Sequence, residues 1–284
     1  MIGINDVEFD LLRGYLCETC GIAVPPEKRY LFATRLTPLL DSTGCKSFSD
    51  FFNLLRTDGS LALRTRLVEA MTTNETSFFR DGHPFEALRR HVLPEVAGRR
   101  RRETRYTPLR IRVLCAGCST GEEAYSVGIC FMEWQAEQSD RAFAMNNLSV
   151  VATDISRAVL DRARQGVYDP SRLRAQLPPN LVSTYFVPTH QGFRVRPDLQ
   201  ALITFSQHNL AEPLEGLGCF DIILCRNVII YFSPELKRSI LAQFHRMLLP
   251  GGALLLGASE SLYQLSDSFQ QRHVGATILY FKNG

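Results

Sequence analysis

Residues 110–138 read RIRVLCAGCSTGEEAYSVGICFMEWQAEQ. The first seven form a short apolar run with β-branched residues, the composition of a strand. Small residues follow, Gly117 to Gly121, as a tight turn needs. The rest has the length and composition of a helix. The same order recurs downstream. LSVVATDIS (148–156) reads as a strand, and SRAVLDRARQG (156–166) as a helix with Ser156 as its cap and Gly166 as its stop. FDIILCRNV (220–228) and ALLLGAS (253–259) read as strands around a helix, SPELKRSILAQFHRMLLPGG (233–252), closed by Pro-Gly-Gly. Strands alternating with helices of this length predict βαβ units and a parallel sheet. Both faces of such a sheet are covered, which explains the near-continuous apolar runs.

YFVPTHQGFRVRPDLQALITFSQHNL (185–210) departs from this pattern by alternating and by carrying turn signals at Gln191-Gly192 and Pro197-Asp198. It predicts a small antiparallel insertion over about 183–207. FQQRHVGATILYF (269–281) predicts a last strand pair at the sheet edge.

Before residue 96 the pattern is helical throughout. DVEFDLLRGYL (6–16) puts Val7, Leu11, Leu12, Tyr15 and Leu16 at the spacing of one helix face. PPEKRYLFATRLTPLL (25–40) opens on prolines and repeats Leu31, Phe32, Leu36, Leu39 and Leu40. Ser47 caps a third helix, and Leu61, Leu63, Leu67, Val68 and Met71 mark a fourth. HPFEALRRHVLPEV (83–96) is one more. Between the last two lies TTNETSFFRD (72–81), polar residues of the kind that favour caps and turns around two adjacent phenylalanines. The division expected is a helical domain over 1–71, an interdomain segment and linker helix over 72–109, and an α/β domain over 110–284.

The totals are those of a soluble globular protein: 284 residues, 45% hydrophobic, 21% charged, net charge +3. No apolar run is long enough to cross a membrane, and the acidic MIGINDVEFD start lacks the pattern of a secretory signal, so a cytoplasmic protein is expected. The basic run GRRRRETR (98–105) reads as a solvated connection or a docking patch for an acidic partner. Two CxxC pairs, Cys17/Cys20 and Cys115/Cys118, lie too far apart for a zinc ribbon, so no metal and reduced thiols are expected.

In an open α/β sheet the ligand lies beyond the carboxyl ends of the strands. After the first strand, Gly117 and Gly121 let backbone approach a ligand, and Glu122 and Glu123 open the helix. Two carboxylates there oppose a pyrophosphate and welcome an ammonium or sulfonium. After the second strand, Asp154 is placed to accept from ribose hydroxyls, or else to cap the next helix. After the strand at 220–228 come Arg226, Asn227 and Tyr231, and HNL (208–210) returns to the same edge. S-adenosylmethionine suits this set better than NAD, and no phosphate loop for ATP is present.

NETSFFRD (74–81), CAGCSTGEEAYS (115–126), ATDIS (152–156), HNL (208–210), DIILCRNVIIYF (221–232) and GGALLLGASESL (251–262), in this order after a helical region, resemble the bacterial chemotaxis receptor protein-glutamate O-methyltransferases, the CheR family. The resemblance covers nearly the whole chain. It implies a Rossmann-like α/β methyltransferase domain with an inserted antiparallel β-subdomain, preceded by an all-α N-terminal domain. It implies S-adenosylmethionine as methyl donor, S-adenosylhomocysteine as product, and glutamates on the cytoplasmic helices of chemoreceptors as substrate. Carried over by position, Asn74, Thr76, Arg80, Glu123, Asp154, Asn209, Leu210, Arg226 and Asn227 hold the cofactor, with Glu122 less surely so. Arg80 and Tyr231 lie nearest the methyl group. The family includes members whose β-subdomain binds a receptor C-terminal peptide. A monomer without nucleic-acid or membrane insertion is expected, with Lys28, Arg29, Arg35, Arg64 and Arg66 facing the acidic receptor. CAGC and a longer basic linker depart from the usual pattern. The rival readings are an NAD-dependent oxidoreductase, a nucleic-acid methyltransferase and a non-catalytic S-adenosylmethionine sensor.

Overall fold

Four helices built around Phe9, Leu12, Phe32, Leu36, Phe48, Phe51 and Leu67 form the N-terminal body: α1 (Asp6–Cys20), α2 (Tyr30–Thr43), α3 (Phe48–Thr57) and α4 (Leu61–Met71). They belong to a computed structural model that describes residues 3–57, 61–103, 110–138 and 147–283. A capping box opens α1: the Asn5 side chain accepts from Glu8 N, and the Glu8 carboxylate accepts from Asn5 N. Glu8 also accepts from the N–H and hydroxyl of Ser49, at 3.0 and 2.9 Å, so one carboxylate ties the starts of α1 and α3. The buried stripe of α1 runs through Phe9, Leu12, Leu16 and Cys20. Val7 and Leu11, expected on that face, are 70% and 42% exposed. Val7 lies two residues before Phe9 and Leu11 two after it, so both point about 160° away from Phe9, which starts the i, i+3, i+7 line and meets Phe32 edge-on at 5.2 Å.

The next rod is continuous: α5 (His83–Ala87), a π-helical turn over Leu88–Val92, and α6 (Leu93–Glu103). The arginine run expected as a connection is therefore helical up to residue 103, and residues 104–109 lie outside the described part. Arg99 and Arg100 point back under the sheet. Arg99 Nη2 donates to Asp221 Oδ1 at 2.7 Å and Arg100 Nη2 to Oδ2 at 3.0 Å. The Asp221 side chain is fully buried. An ionised group buried this deeply needs such partners.

The α/β body then runs β1 (Ile111–Ala116), α7 (Glu122–Ala136), β2 (Leu148–Asp154), α8 (Arg157–Gln165), β3 (Val167–Tyr168), α9 (Pro170–Gln176), α10 (Pro179–Tyr185), β4 (Phe186–Thr189), β5 (Gly192–Val195), α11 (Pro197–Gln200), β6 (Ile203–Gln207), β7 (Phe220–Cys225), α12 (Pro234–Met247), β8 (Leu248–Leu256), β9 (Phe269–Val274) and β10 (Thr277–Lys282). The large sheet has the order β6-β2-β1-β7-β8-β10-β9. Its first five strands are parallel, and β10 is antiparallel to both its neighbours. Connections leave β1 to one side for β2 and reach β7 on the other. This reversal is a topological switch point, and it opens a crevice at the strand C-termini.

Two elements differ from the sequence expectation. The strand Ile203–Gln207 joins the large sheet, parallel to β2, and not the insertion. The small sheet is β3-β5-β4, and it takes its third strand from Val167–Tyr168. Two residues carry no readable alternation, and an edge strand such as β6 alternates like a hairpin strand because one face is wet. Likewise Pro250-Gly251-Gly252 does not follow α12 as a stop. It lies inside β8 and shifts the register against β7, from Phe220↔Leu248 to Ile222↔Ala253.

Candidate functional site

The switch point gathers three loops. After β1, Gly117 N and Cys118 N donate to Thr153 O at 2.8 and 2.9 Å, which fastens this turn to β2. Gly117 has φ +81°, and a Cβ there would lie 2.4 Å from Val228 Cγ2. Only glycine lets the turn pass beneath the loop that follows β7. At the end of β2 the Asp154 carboxylate accepts from Ser119 N at 2.8 Å and Ser156 N at 3.0 Å. Burial raises its pKa and these backbone bonds oppose the rise. Ser156, not Asp154, caps α8, accepting from Val159 N. Asp154 is thus braced from both sides and turned to the crevice.

The two acidic residues that open α7 separate. Glu122 turns away: its Oε2 accepts from Thr120 Oγ1 at 2.7 Å, and its side chain is 2% exposed. Glu123 faces the crevice, where Arg226 Nη1 meets its Oε2 at 3.3 Å. Burial pushes the Glu123 carboxyl up, and Arg226 pulls it back. Arg226, directly after β7, is itself buried. Its Nη2 donates to Arg80 O at 2.8 Å and Asp81 Oδ2 at 2.7 Å, with Phe85 beneath the guanidinium at 5.2 Å. A buried arginine is tolerated because it is paired on several sides. It links the β7 end, the α7 start and the segment over 72–81.

That segment lies along the edge of the crevice. Ser119 Oγ donates to Asn74 O at 3.1 Å, and Arg172 Nη2 to Thr76 O at 2.7 Å. Phe79 N donates to Ser126 Oγ at 3.0 Å. Phe78 is buried edge-on between Tyr168 at 4.9 Å and Phe186 at 5.4 Å, which anchors the segment on the small sheet. From the helical body, Arg35 Nη1 donates to the carbonyls of Met71 and Thr72 at 2.9 and 3.2 Å. Arg35 was expected to face an acidic receptor; its guanidinium instead holds the start of this segment. Arg29 pairs with Asp6, Arg64 with the Tyr15 hydroxyl and Arg66 with the Ser42 hydroxyl.

The helical body also reaches the far wall. Ala23 N donates to Tyr231 O at 2.8 Å, and Ile22 forms a bridge with Phe232. Asn209 Nδ2 donates to Thr19 O at 3.0 Å while its Oδ1 accepts from Ala211 N. Its amide is thus already engaged, so it shapes the wall from behind.

All ten residues singled out from the sequence, namely Asn74, Thr76, Arg80, Glu123, Asp154, Asn209, Leu210, Arg226, Asn227 and Tyr231, line one cleft of about 980 Å³, mouth included. Cys20, Ile22, Ser119, His208, Val228 and Phe232 also line it, unmarked by sequence reasoning. Ser119 sits in a motif already quoted and was within reach; Cys20 and Ile22 lie in a different body, and no local pattern announces them. Among the described residues, Asn227 Oδ1 and His208 Nε2 are buried without a hydrogen-bond partner. A ligand with several polar atoms fits them, since buried polar groups are rarely left unmatched. S-adenosylmethionine, with a ribose for Asp154 and a charged ammonium for Glu123, fits this donor and acceptor set. Among the described residues no group of three or more His, Cys, Asp or Glu is placed to hold a metal ion. Cys115 and Cys118 are buried thiols whose pKa burial raises well above the ordinary value.

The all-α domain model of the CheR methyltransferases matches residues 7–72, and their SAM binding domain model matches residues 74–278. The chain is 38% identical over 276 residues to chemotaxis protein methyltransferase 1 of Pseudomonas aeruginosa, covering 97% of each chain. It is 39% identical over 280 residues to chemotaxis protein methyltransferase 1 of Vibrio cholerae, covering 98% of each. With the chemotaxis protein methyltransferase of Salmonella typhimurium it shares 33% identity over 276 residues, covering 95% of this chain and 89% of that one.

Proposed function

The chain belongs to the CheR methyltransferases, and on that footing we propose that the cleft at the switch point brings a receptor glutamate and S-adenosylmethionine together for ester formation. Its reaction is S-adenosylmethionine-dependent methylation in chemotaxis. The observation that carries the residue assignment is the convergence of Asp154, Glu123 and Arg226 from three strand ends onto one cleft edged by residues 72–80. In this reading Asp154 accepts from the ribose hydroxyls. Glu123 faces the ammonium, and Asn227 Oδ1 and His208 Nε2 bond the remaining polar edge. Asn74, Thr76 and Arg80 close over the cofactor, and Asn209 and Leu210 support its adenosine end.

When bound, S-adenosylmethionine supplies an electrophilic methyl group. The glutamate carboxylate has an ordinary pKa of about 4.3 and is already a nucleophile at neutral pH. The protein therefore needs no general base, and among the cleft residues none is required for that role. What it supplies is alignment and exclusion of water. Arg80 and Tyr231 orient the incoming carboxylate through one hydrogen bond each, since a tight ion pair would blunt it. Arg80 Nη1 is held by Glu75 O at 3.0 Å, which keeps the guanidinium at the cleft.

A chemoreceptor is the macromolecular substrate. Among the described residues β4 pairs only with β5, so its other edge can take a receptor C-terminal peptide as an added strand. No helix among the described residues is long and apolar enough to cross a membrane; action in the cytoplasm as a monomer is part of the proposal. A nucleic-acid substrate is disfavoured because Arg99 and Arg100 of the basic run face Asp221, away from the cleft. The test is transfer of radiolabelled methyl to receptor cytoplasmic domains, scored as base-labile ester. Tyr231→Phe and Arg80→Ala should each lose on the order of 10²-fold in rate. Unchanged rates in both at saturating substrate sink the assignment.

A further inference from the structure

Glu260 does not line the cleft, yet it holds the loop that does. The residue is buried at 8% exposure. Its Oε2 accepts from Asn227 N and Gly257 N, each at 2.7 Å. Its Oε1 accepts from Val228 N at 3.0 Å and Ile230 N at 3.2 Å. Four main-chain donors, from the loops that leave β7 and β8, converge on one carboxylate. Gly257 permits the approach, because a Cβ there would lie 2.7 Å from Glu260 Oε2 and 2.8 Å from Asn227 N. Three of the four donors belong to the stretch that brings Arg226, Asn227 and Tyr231 to the cleft. Asn227 itself has φ +59°, the left-handed region that asparagine takes more readily than other non-glycine residues.

We propose that Glu260 is a positioning residue for methyl transfer, fixing the 226–231 loop so that Asn227 and Tyr231 stand ready for cofactor and substrate. The inference rests on the reading of the cleft as the S-adenosylmethionine site. A carboxylate is required in this place. Each of its oxygens takes two N–H donors, so glutamine, in either orientation, sets an NH2 against two of them. A buried N–H left unmatched is costly, so the loop must move to find other partners.

The test uses the full chain with Glu260→Gln and Glu260→Ala. Thermal unfolding, calorimetric binding of S-adenosylhomocysteine, and kcat and KM on a receptor cytoplasmic domain are read together. Glu260→Gln is expected to fold, to bind S-adenosylhomocysteine at least tenfold more weakly and to lose kcat as well. For Glu260→Ala, added acetate is expected to restore binding by entering the cluster of N–H groups, where chloride at equal ionic strength does not. Wild-type binding and kcat in Glu260→Gln overturn the inference. So does a loss in Glu260→Ala that follows only its unfolded fraction and ignores acetate. If the unaltered protein fails to bind S-adenosylhomocysteine, the cofactor reading falls first and this inference falls with it.

Discussion

Replacing Arg226 by methionine tests the electrostatic design of the cleft. The side chain keeps its bulk over Phe85 and loses its charge. Glu123 is left with its carboxylate largely buried, 12% exposed, where Arg226 had met it at 3.3 Å. An opposite charge this close lowers a carboxyl pKa by about 1–3 units. Arg80 also faces Glu123 and pulls the same way, while Glu260 pushes the other way, so Arg80 makes up part of the loss. Removing Arg226 therefore raises the Glu123 pKa further, with Arg80 limiting the rise. The sign follows from burial. The Glu123 pKa is already raised, and the ionised form is the one that meets an ammonium. Binding is thus lost as pH falls through that pKa, and without Arg226 it is lost at higher pH. Losing the ionised partner of the ammonium forfeits a charge-assisted hydrogen bond worth about 1.5 kcal/mol or more, a change in affinity of about tenfold or more where wild type still binds fully. The assay is calorimetric titration with S-adenosylhomocysteine from pH 5 to 8. His208→Gln serves as control for the histidine of the cleft, and Asp154 and Glu75 are common to both proteins. An acid limb of Arg226→Met that overlays wild type refutes the Glu123–ammonium pairing, even if affinity drops overall.

Asp221→Asn should destabilise the fold by about 3 kcal/mol or more, since removing one partner leaves buried charges unmatched. Urea unfolding reads it as a lower midpoint at unchanged slope, with cofactor affinity preserved because Asp221 lies near the start of β7, away from the cleft. Arg35→Ala should weaken S-adenosylhomocysteine binding about tenfold by freeing the Met71 and Thr72 carbonyls; lost receptor methylation at unchanged cofactor affinity would return Arg35 to a docking role. Gly117→Ala should cost about 1–2 kcal/mol for its left-handed backbone alone and weaken cofactor binding further by displacing Val228; equal affinity by calorimetry would contradict the close approach.

The sequence disclosed most of the cleft because its contacts lie in short motifs at strand ends, where apolar runs break off into Asp154 or Arg226. The N-terminal helices and those after β1, β2 and β7 were legible from their caps and spacing, whereas the short α9, α10 and α11 were not. Other features escaped for separate physical reasons. α1 is rotated because Phe9, not Val7 or Leu11, continues the line of Leu12 and Leu16. β6 was misplaced because a half-wet edge strand alternates as an insertion hairpin does. The arginine run looked solvated because its buried counter-charge, Asp221, is more than a hundred residues away in the chain. Glu260 was invisible as a functional residue because its partners are main-chain N–H groups, which leave no trace in side-chain pattern.

The bond from Ala23 N to Tyr231 O, with the bridge between Ile22 and Phe232, has a thermodynamic consequence. Residues of both bodies line the same cleft, so a ligand held between them would stabilise their junction by RT ln(1 + [L]/Kd). At a hundredfold excess over Kd that is about 2.7 kcal/mol. Cellular levels of methyl donor then set more than turnover. They set how long the two bodies stay joined, and with it how well the backbone between Met71 and Arg80 resists a protease.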